Sequence, residues 1–256
     1  MIALSSFVPA FAADVLFPRP LHIIRRVEDP IANSAATIHE YCAGDQIVTV
    51  NGSRIAIADY GRQVLTEIDR SAGTYSVTRF DELANAQASS PRLQMKGIEW
   101  KAAAKGVKGA RNGRSLDTFE LTRDGEEKMS IEIGVDRATR LSRNALEVLI
   151  GASYPNPRRN EHDAILGISR GGAAKTNAAG GDDYALPYEQ SVTVEVEGTR
   201  VTMRNSVLEV RNELAPDELR LIPPGARRVE SPTTRFAREL RELDQLPSQQ
   251  QPQQPH

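Results

Sequence analysis

One cysteine among 256 residues rules out an internal disulfide, so nothing covalent staples this fold. That cysteine, Cys42, sits in His39-Glu40-Tyr41-Cys42-Ala43, which lacks the apolar and small residues that precede a lipidated cysteine. It reads as a small buried hydrophobe. With only four histidines beside it, scattered along the chain, no spacing predicts a metal site, and no cofactor is called for. A net charge of −2 gives no basic surface for nucleic acid. Long apolar runs are also missing, so no stretch reaches the roughly 20 residues that a membrane-crossing helix needs.

The chain does have an uncharged opening. Met1–Ala13 carries Ile2-Ala3-Leu4 and Phe7-Val8, then Ala10-Phe11-Ala12, an A-x-A cleavage pattern. The expectation is export to the periplasm or the exterior, with the mature chain starting near Asp14.

After it come short alternating runs punctuated by turn residues. Leu21–Val27 and Ala35–Tyr41 read as strands. Gln46–Val50 and Arg54–Ala58 flank Asn51-Gly52, a strong hairpin signal because both residues tolerate positive φ. The same residues form a glycosylation sequon with Ser53, which the turn reading explains without modification. Asp59-Tyr60-Gly61 and Ser71-Ala72-Gly73 set off two more strands, Gln63–Asp69 and Thr74–Thr78. Phe80–Gln87 has helical spacing. Arg92–Ala103 reads as extended, and Leu116–Arg123 with Lys128–Gly134 as a hairpin through Asp124-Gly125. Arg137–Ile150 fits a helix, with a strand as the alternative. Ser191–Val196 and Arg200–Arg211 alternate again, and Leu221-Ile222-Pro223-Pro224-Gly225 reads as the end of the sheet region.

The predicted fold is therefore mainly β: a curved antiparallel sheet, a half-barrel, with a few helices packed on its concave face. Residues 14–230 make one β-rich domain with a surface insertion at 154–183. A helix follows at 231–246, with Phe236, Leu240 and Leu243 as its stripe. The Gln/Pro-rich tail 247–256 is expected to lack structure.

Two motifs invite a catalytic reading. Gly167-Ile168-Ser169-Arg170-Gly171 fits G-x-S-x-G, which needs a strand before the serine, a helix after it, and an acid then a histidine downstream. The only downstream histidine is His256 in the tail, and His162 precedes the serine. Adjacent carboxylates (Asp81-Glu82, Glu126-Glu127, Asp182-Asp183) would point to opposite faces of a strand and read as solvated turn charges. No catalytic residue is assigned.

The alternating apolar positions form the candidate ligand-lining set: Ile55, Ile57, Val64, Ile68, Tyr75, Val77, Phe119, Leu121, Ile131, Ile133, Val192, Val194 and Met203. The same set serves equally as packed core.

The order of these pieces resembles the periplasmic lipoprotein-carrier (LolA/LolB-like) half-barrel superfamily. The resemblance rests on Ile55-Ala56-Ile57-Ala58-Asp59-Tyr60, then Val64-Leu65-Thr66-Glu67-Ile68-Asp69 and Gly73-Thr74-Tyr75-Ser76-Val77, and on the late Leu219-Arg220-Leu221-Ile222-Pro223-Pro224-Gly225. It implies a sheet wrapped around helices whose apolar concave face holds the acyl chain of a lipid or lipoprotein, without enzymatic activity. A protein-interaction or sensor module with an envelope partner, on the same scaffold, is the second reading. A hydrolase using Ser169 is the third.

Overall fold

A computed structural model describes residues 15–88, 100–109, 113–123, 129–153, 159–170, 184–196 and 198–232, together with 234, 235, 238, 239 and 242. The protein is mainly β. The first strands are β1 (Phe17–Asp29), β2 (Ser34–Gly44), β3 (Gln46–Asn51), β4 (Arg54–Asp59), β5 (Val64–Asp69) and β6 (Thr74–Arg79), closed by helix α1 (Phe80–Ala88). Then come β7 (Trp100–Gly109), β8 (Ser115–Arg123), β9 (Met129–Leu141), α2 (Arg143–Ser153), α3 (Arg159–Ser169), β10 (Tyr184–Val196), β11 (Thr199–Arg211), α4 (Asp217–Arg220) and β12 (Arg227–Arg228).

All twelve strands join one open sheet in the order β12-β6-β5-β4-β3-β2-β1-β11-β10-β9-β8-β7. Every pairing is antiparallel except β12 with β6. Two meanders therefore run outward from a central seam, where β1 meets β11 through Ile23↔Val210 and Arg25↔Val207.

The turns are local chemistry. Asp29, Asp59 and Asp69 each end a strand and accept a backbone N–H two or three residues on: Ile31 at 2.9 Å, Arg62 at 2.8 Å and Ala72 at 3.0 Å. Such Asx turns are why aspartate favours these positions. At the Asn51-Gly52 hairpin the tip lies one residue later than expected. Asn51 pairs with Arg54, so Gly52 and Ser53 are the central residues, and only Gly52 has positive φ, +58°. That pattern belongs to a II′ turn rather than I′.

Three expectations need correction. Residues 137–141 are strand, and the helix starts only at Arg143, because β10 offers a partner as far as Leu141↔Tyr184. The supposed surface insertion contains α3, whose Ile165, Leu166 and Ile168 are buried in the core. Its polar flanks masked an apolar stripe. Finally, the Pro-Pro-Gly segment does not end the sheet: β12 follows it and adds an edge strand. At the C-terminus, described residues between Pro232 and Glu242 are helical. Phe236, Leu240, Leu243, the tail, the Asp124-Gly125 turn and the leader-like segment lie outside the described residues.

The sheet buries apolar side chains on both faces, but in different places. α2 and α3 cover one face. There Leu121, Ile131, Ile133 and Val135 of the second meander meet Leu146, Leu149 and Ile165, and the layer continues to Ile23, Cys42 and Ile47. The opposite face of the first meander packs Val48, Ile55, Ile57 and Ile68 beneath Ala215 and Leu219. Those two residues belong to a strap, 212–231, that leaves β11 and crosses this face. It then pairs as β12 and brings the Ser231 hydroxyl to Glu67 on the helix-covered face, donating at 2.5 Å. β3 serves both clusters, through Ile47 and Val48, and β1 is buried on both faces, with Leu21, His22, Ile23, Ile24 and Arg25 all buried in succession.

Candidate ligand site

Strand register shows which predicted residues share a face. Ile55 pairs with Ile68, which pairs with Tyr75, and Val77 and Val64 follow on the same side. These positions, with Ile57, face the strap. Met203 pairs with Val192 and Val192 with Ile131, which pairs with Leu121, while Ile133 pairs with Phe119. These, with Val194, face the helices. The two sets lie on opposite faces of one sheet and in separate clusters, so no single concave wall contains them all.

Nor is the helix-covered layer hollow. The void among Arg25, Ile133, Leu149, Leu186, Gln190 and Asn205 is about 20 Å³, room for about one water molecule. Its polar end is well built. The buried Arg25 donates from Nε to Glu40 at 2.7 Å, and Gln190 Nε2 and Asn205 Oδ1 stand beside it without a partner among the described residues.

Space appears instead where this layer reaches one end of the sheet. A cleft of about 290 Å³ lies between the start of β1, the end of β9, the first turn of α2 and the end of β11. That volume is at the lower end of ordinary ligand pockets, roughly 300–1,000 Å³. Two bulges make it. In β1, Phe17 pairs with Gly44 and Leu21 with Cys42, so Pro18-Arg19-Pro20 loops out. Proline has no N–H to lose, and a bulge is where a strand tolerates it. In β9, Asp136 pairs with Leu186 and Arg140 with Ala185, so Arg137-Ala138-Thr139 loops out. The Asp136 carboxylate holds that bulge, accepting from Ala138 N at 2.9 Å, Thr139 Oγ1 at 3.0 Å and Arg114 Nη1 at 2.6 Å. From the same bulge Arg137 donates to the Ser169 and Ile168 carbonyls, at 3.0 and 3.3 Å, and so anchors the end of α3. The cleft floor is Phe17, Leu21, Leu141 and Ala145, all members of the main core. Its rim carries Arg19 and Arg140, both exposed, and no carboxylate is among the described residues that line it.

A second cluster lies on the strap-covered face. The Glu213 carboxylate is 3.1 Å from His22 Nδ1, and His22 Nε2 is 3.1 Å from His39 Nδ1. Tyr41 stacks on His22, with ring centroids 3.9 Å apart. When His22 is neutral, its Nδ1–H donates to Glu213 and its Nε2 accepts from His39 Nδ1–H, which leaves the lone pair on His39 Nε2. Burial lowers the His39 pKa below 6.5, and His22 and Arg211 push it the same way. Burial raises the Tyr41 hydroxyl above 10.0, helped by Glu213. Composition hid this cluster because the histidines are 17 positions apart. The hairpin arithmetic could have found it: a turn centred between Ile31 and Ala32 pairs His22 with Tyr41 and Ile24 with His39.

Elsewhere the chemistry is muted. Ser169 ends a helix rather than a strand, is fully buried, and its Oγ has no hydrogen-bond partner among the described residues. The strand that a nucleophile elbow needs before its serine is missing here, and no described residue hydrogen-bonds the hydroxyl. Among the described residues no group of three or more His, Cys, Asp or Glu converges on a metal position, and no helix is long and apolar enough to cross a membrane. Burial drives the Cys42 thiol well above its ordinary pKa, with Glu40 adding to it.

No protein-family model and no curated protein matches the chain. Among solved structures it is similar to one described as "Structure of PNGF-II in C2 space group", with TM-score 0.38 and 8% identity over 86% of this chain. The match spans 32% of that longer chain. A likeness this slight carries no argument about function.

Proposed function

We propose that this protein is an exported, non-enzymatic binder of a lipid or lipoprotein acyl chain. The observation that carries this reading is the cleft of about 290 Å³ whose floor residues, Phe17, Leu21, Leu141 and Ala145, are themselves part of the main apolar layer. An alkyl chain entering there leaves water for a surface continuous with the core, which favours binding by about 25 cal/mol per Å² of apolar area buried. The void of about 20 Å³ deeper in the layer sets a limit: a long chain fits only if α2 and α3 move off the sheet, whereas a short one fits the cleft as it stands.

The reading is tested by native mass spectrometry and lipid extraction of protein purified from its own envelope. Acyl-bearing adducts are expected, and Ala138→Trp should abolish them, because Ala138 is exposed on the cleft wall and a large ring there fills the space without entering the core. Protein free of lipid that also fails to take up dodecanol in solution defeats the proposal.

One observation favours the second reading, a protein-interaction module. Leu214, Leu221 and Ile222 on the strap are 58%, 64% and 42% exposed, an unusual density of bare apolar side chains for one short segment. Asp replacements at Leu221 and Ile222 that release an envelope partner while leaving lipid content unchanged would move this reading ahead.

A further inference from the structure

We infer that the cleft selects anionic amphiphiles, with Arg19 and Arg140 at its rim receiving a carboxylate or phosphate head while the alkyl chain lies on Phe17, Leu21, Leu141 and Ala145. The inference rests on the acyl-binding reading above and adds the head-group chemistry.

Three features point the same way. First, the cleft is amphipathic in a graded manner: buried apolar residues form the floor and exposed guanidinium groups the rim. An amphiphile with one charged end matches that gradient; a free sugar or nucleotide does not. Second, the charge is of one sign. The polar lining is Arg19, Arg140, Thr139, Ser142 and Asn212; Thr139 gives its proton to Asp136, the others carry groups that donate to an anion, and no Asp or Glu is among the described residues that line the cleft. Guanidinium favours carboxylate and phosphate because its planar fork matches two oxygens at once. Third, Arg19 is placed by structure rather than scattered on a surface. It is the middle of Pro18-Arg19-Pro20, looped out between the Phe17↔Gly44 and Leu21↔Cys42 pairs. It makes no hydrogen bond or ion pair to another described residue, so a ligand head displaces no partner among them. Bulges of this kind re-aim a side chain, and this one aims a cation at the mouth of an apolar cleft.

The test compares three twelve-carbon probes below their micelle-forming concentrations: dodecanoate, dodecyl phosphate and dodecanol. Binding is read by calorimetry on the full chain. The anions should bind roughly fivefold or more tightly than the alcohol, the scale of one or two solvent-exposed charge pairs. That margin should shrink as salt rises from about 0.05 to about 0.5 M. Arg19→Gln should erase most of the margin and leave dodecanol affinity unchanged, and Arg19→Lys should keep part of it. Arg140→Gln should act in the same direction. An unchanged thermal midpoint is expected for Arg19→Gln because that side chain is exposed. A margin for both anions, or for dodecyl phosphate alone, supports the assignment and separates a general anion rim from a phosphate-selective one. Equal affinity for all three probes, unmoved by Arg19→Gln, overturns the head-group assignment while the acyl site stands. Failure of all three to bind overturns both.

Discussion

The two meanders of this sheet solve the same problem in opposite ways. The second, β7–β11, covers its apolar face with α2 and α3 and leaves its other face polar, where Glu120, Glu132, Ser191 and Arg204 line a broad open trough. The first, β1–β6, turns Ile55, Ile57 and Ile68 toward the opposite side, where, among the described residues, the strap's Ala215 and Leu219 lie over them. Strand alternation commits each segment to one inward face, but nothing in alternation says which side of the sheet that is. The side is set by what comes later in the chain to cover it. β3, with Ile47 in one cluster and Val48 in the other, is where the two solutions meet.

The contrast predicts unequal costs. Ile133→Asn strikes the thick, helix-covered layer and leaves an amide among apolar neighbours. It should lower unfolding free energy by about 3 kcal/mol or more in urea titrations. Ile55→Ala opens the thin cluster under the strap and should cost about 2 kcal/mol. Because these residues lie on opposite faces, the double variant should show the sum within about 0.5 kcal/mol. A larger coupling would mean that the clusters act as one core. Gly52→Val places a β-branched residue at φ +58° with nothing within 4 Å of its Cβ, so the cost, about 1–2 kcal/mol, comes from the backbone alone.

The smallest effect should be a pH dependence. His39 has a folded pKa below 6.5, lowered first by burial and then by His22 and Arg211. Below pH 6.5 the unfolded chain binds this proton before the folded one does. Stability therefore declines as pH falls from about 7 toward 5 and levels off once the folded imidazole is protonated. His39→Gln should flatten that segment of the urea-midpoint profile. The charged and titratable groups around His39 (His22, Tyr41, Arg211, Glu209 and Glu213) are unchanged in that variant's sequence, and the ion pairs of Arg211 with Glu209 and Glu213 do not use His39.

How much of this was legible beforehand depends on range. Asp59, Asp69 and Gly52 announce their turns because the signal and the structure are a few residues apart. Phe80–Gln87 was readable as helix for the same reason. The β9–α2 junction was not, since whether 137–141 is strand depends on β10, more than 40 positions later. α3 was missed because its buried Ile165, Leu166 and Ile168 sit among proline, glycine and arginine that signal loop. Of the candidate lining residues, Ile55, Ile57, Ile68, Leu121, Ile131 and Ile133 are buried, whereas Met203 is exposed. Their division between two faces depends on the strap and on α2 and α3, which no local pattern reports. Arg19 drew no notice at all, although proline on both sides of it was the visible sign of a bulge.

The seam between β1 and β11 also dictates timing. Residues near 25 must wait for residues near 207 before β1 has a neighbour on its second side. During synthesis the first meander can assemble from adjacent hairpins, but it carries an unsatisfied row of backbone donors and acceptors until residues 204–211 exist. Such an edge pairs readily with the wrong strand, and contacts this distant form slowly. A chain that crosses a membrane before folding would keep that edge from forming until its true partner had arrived.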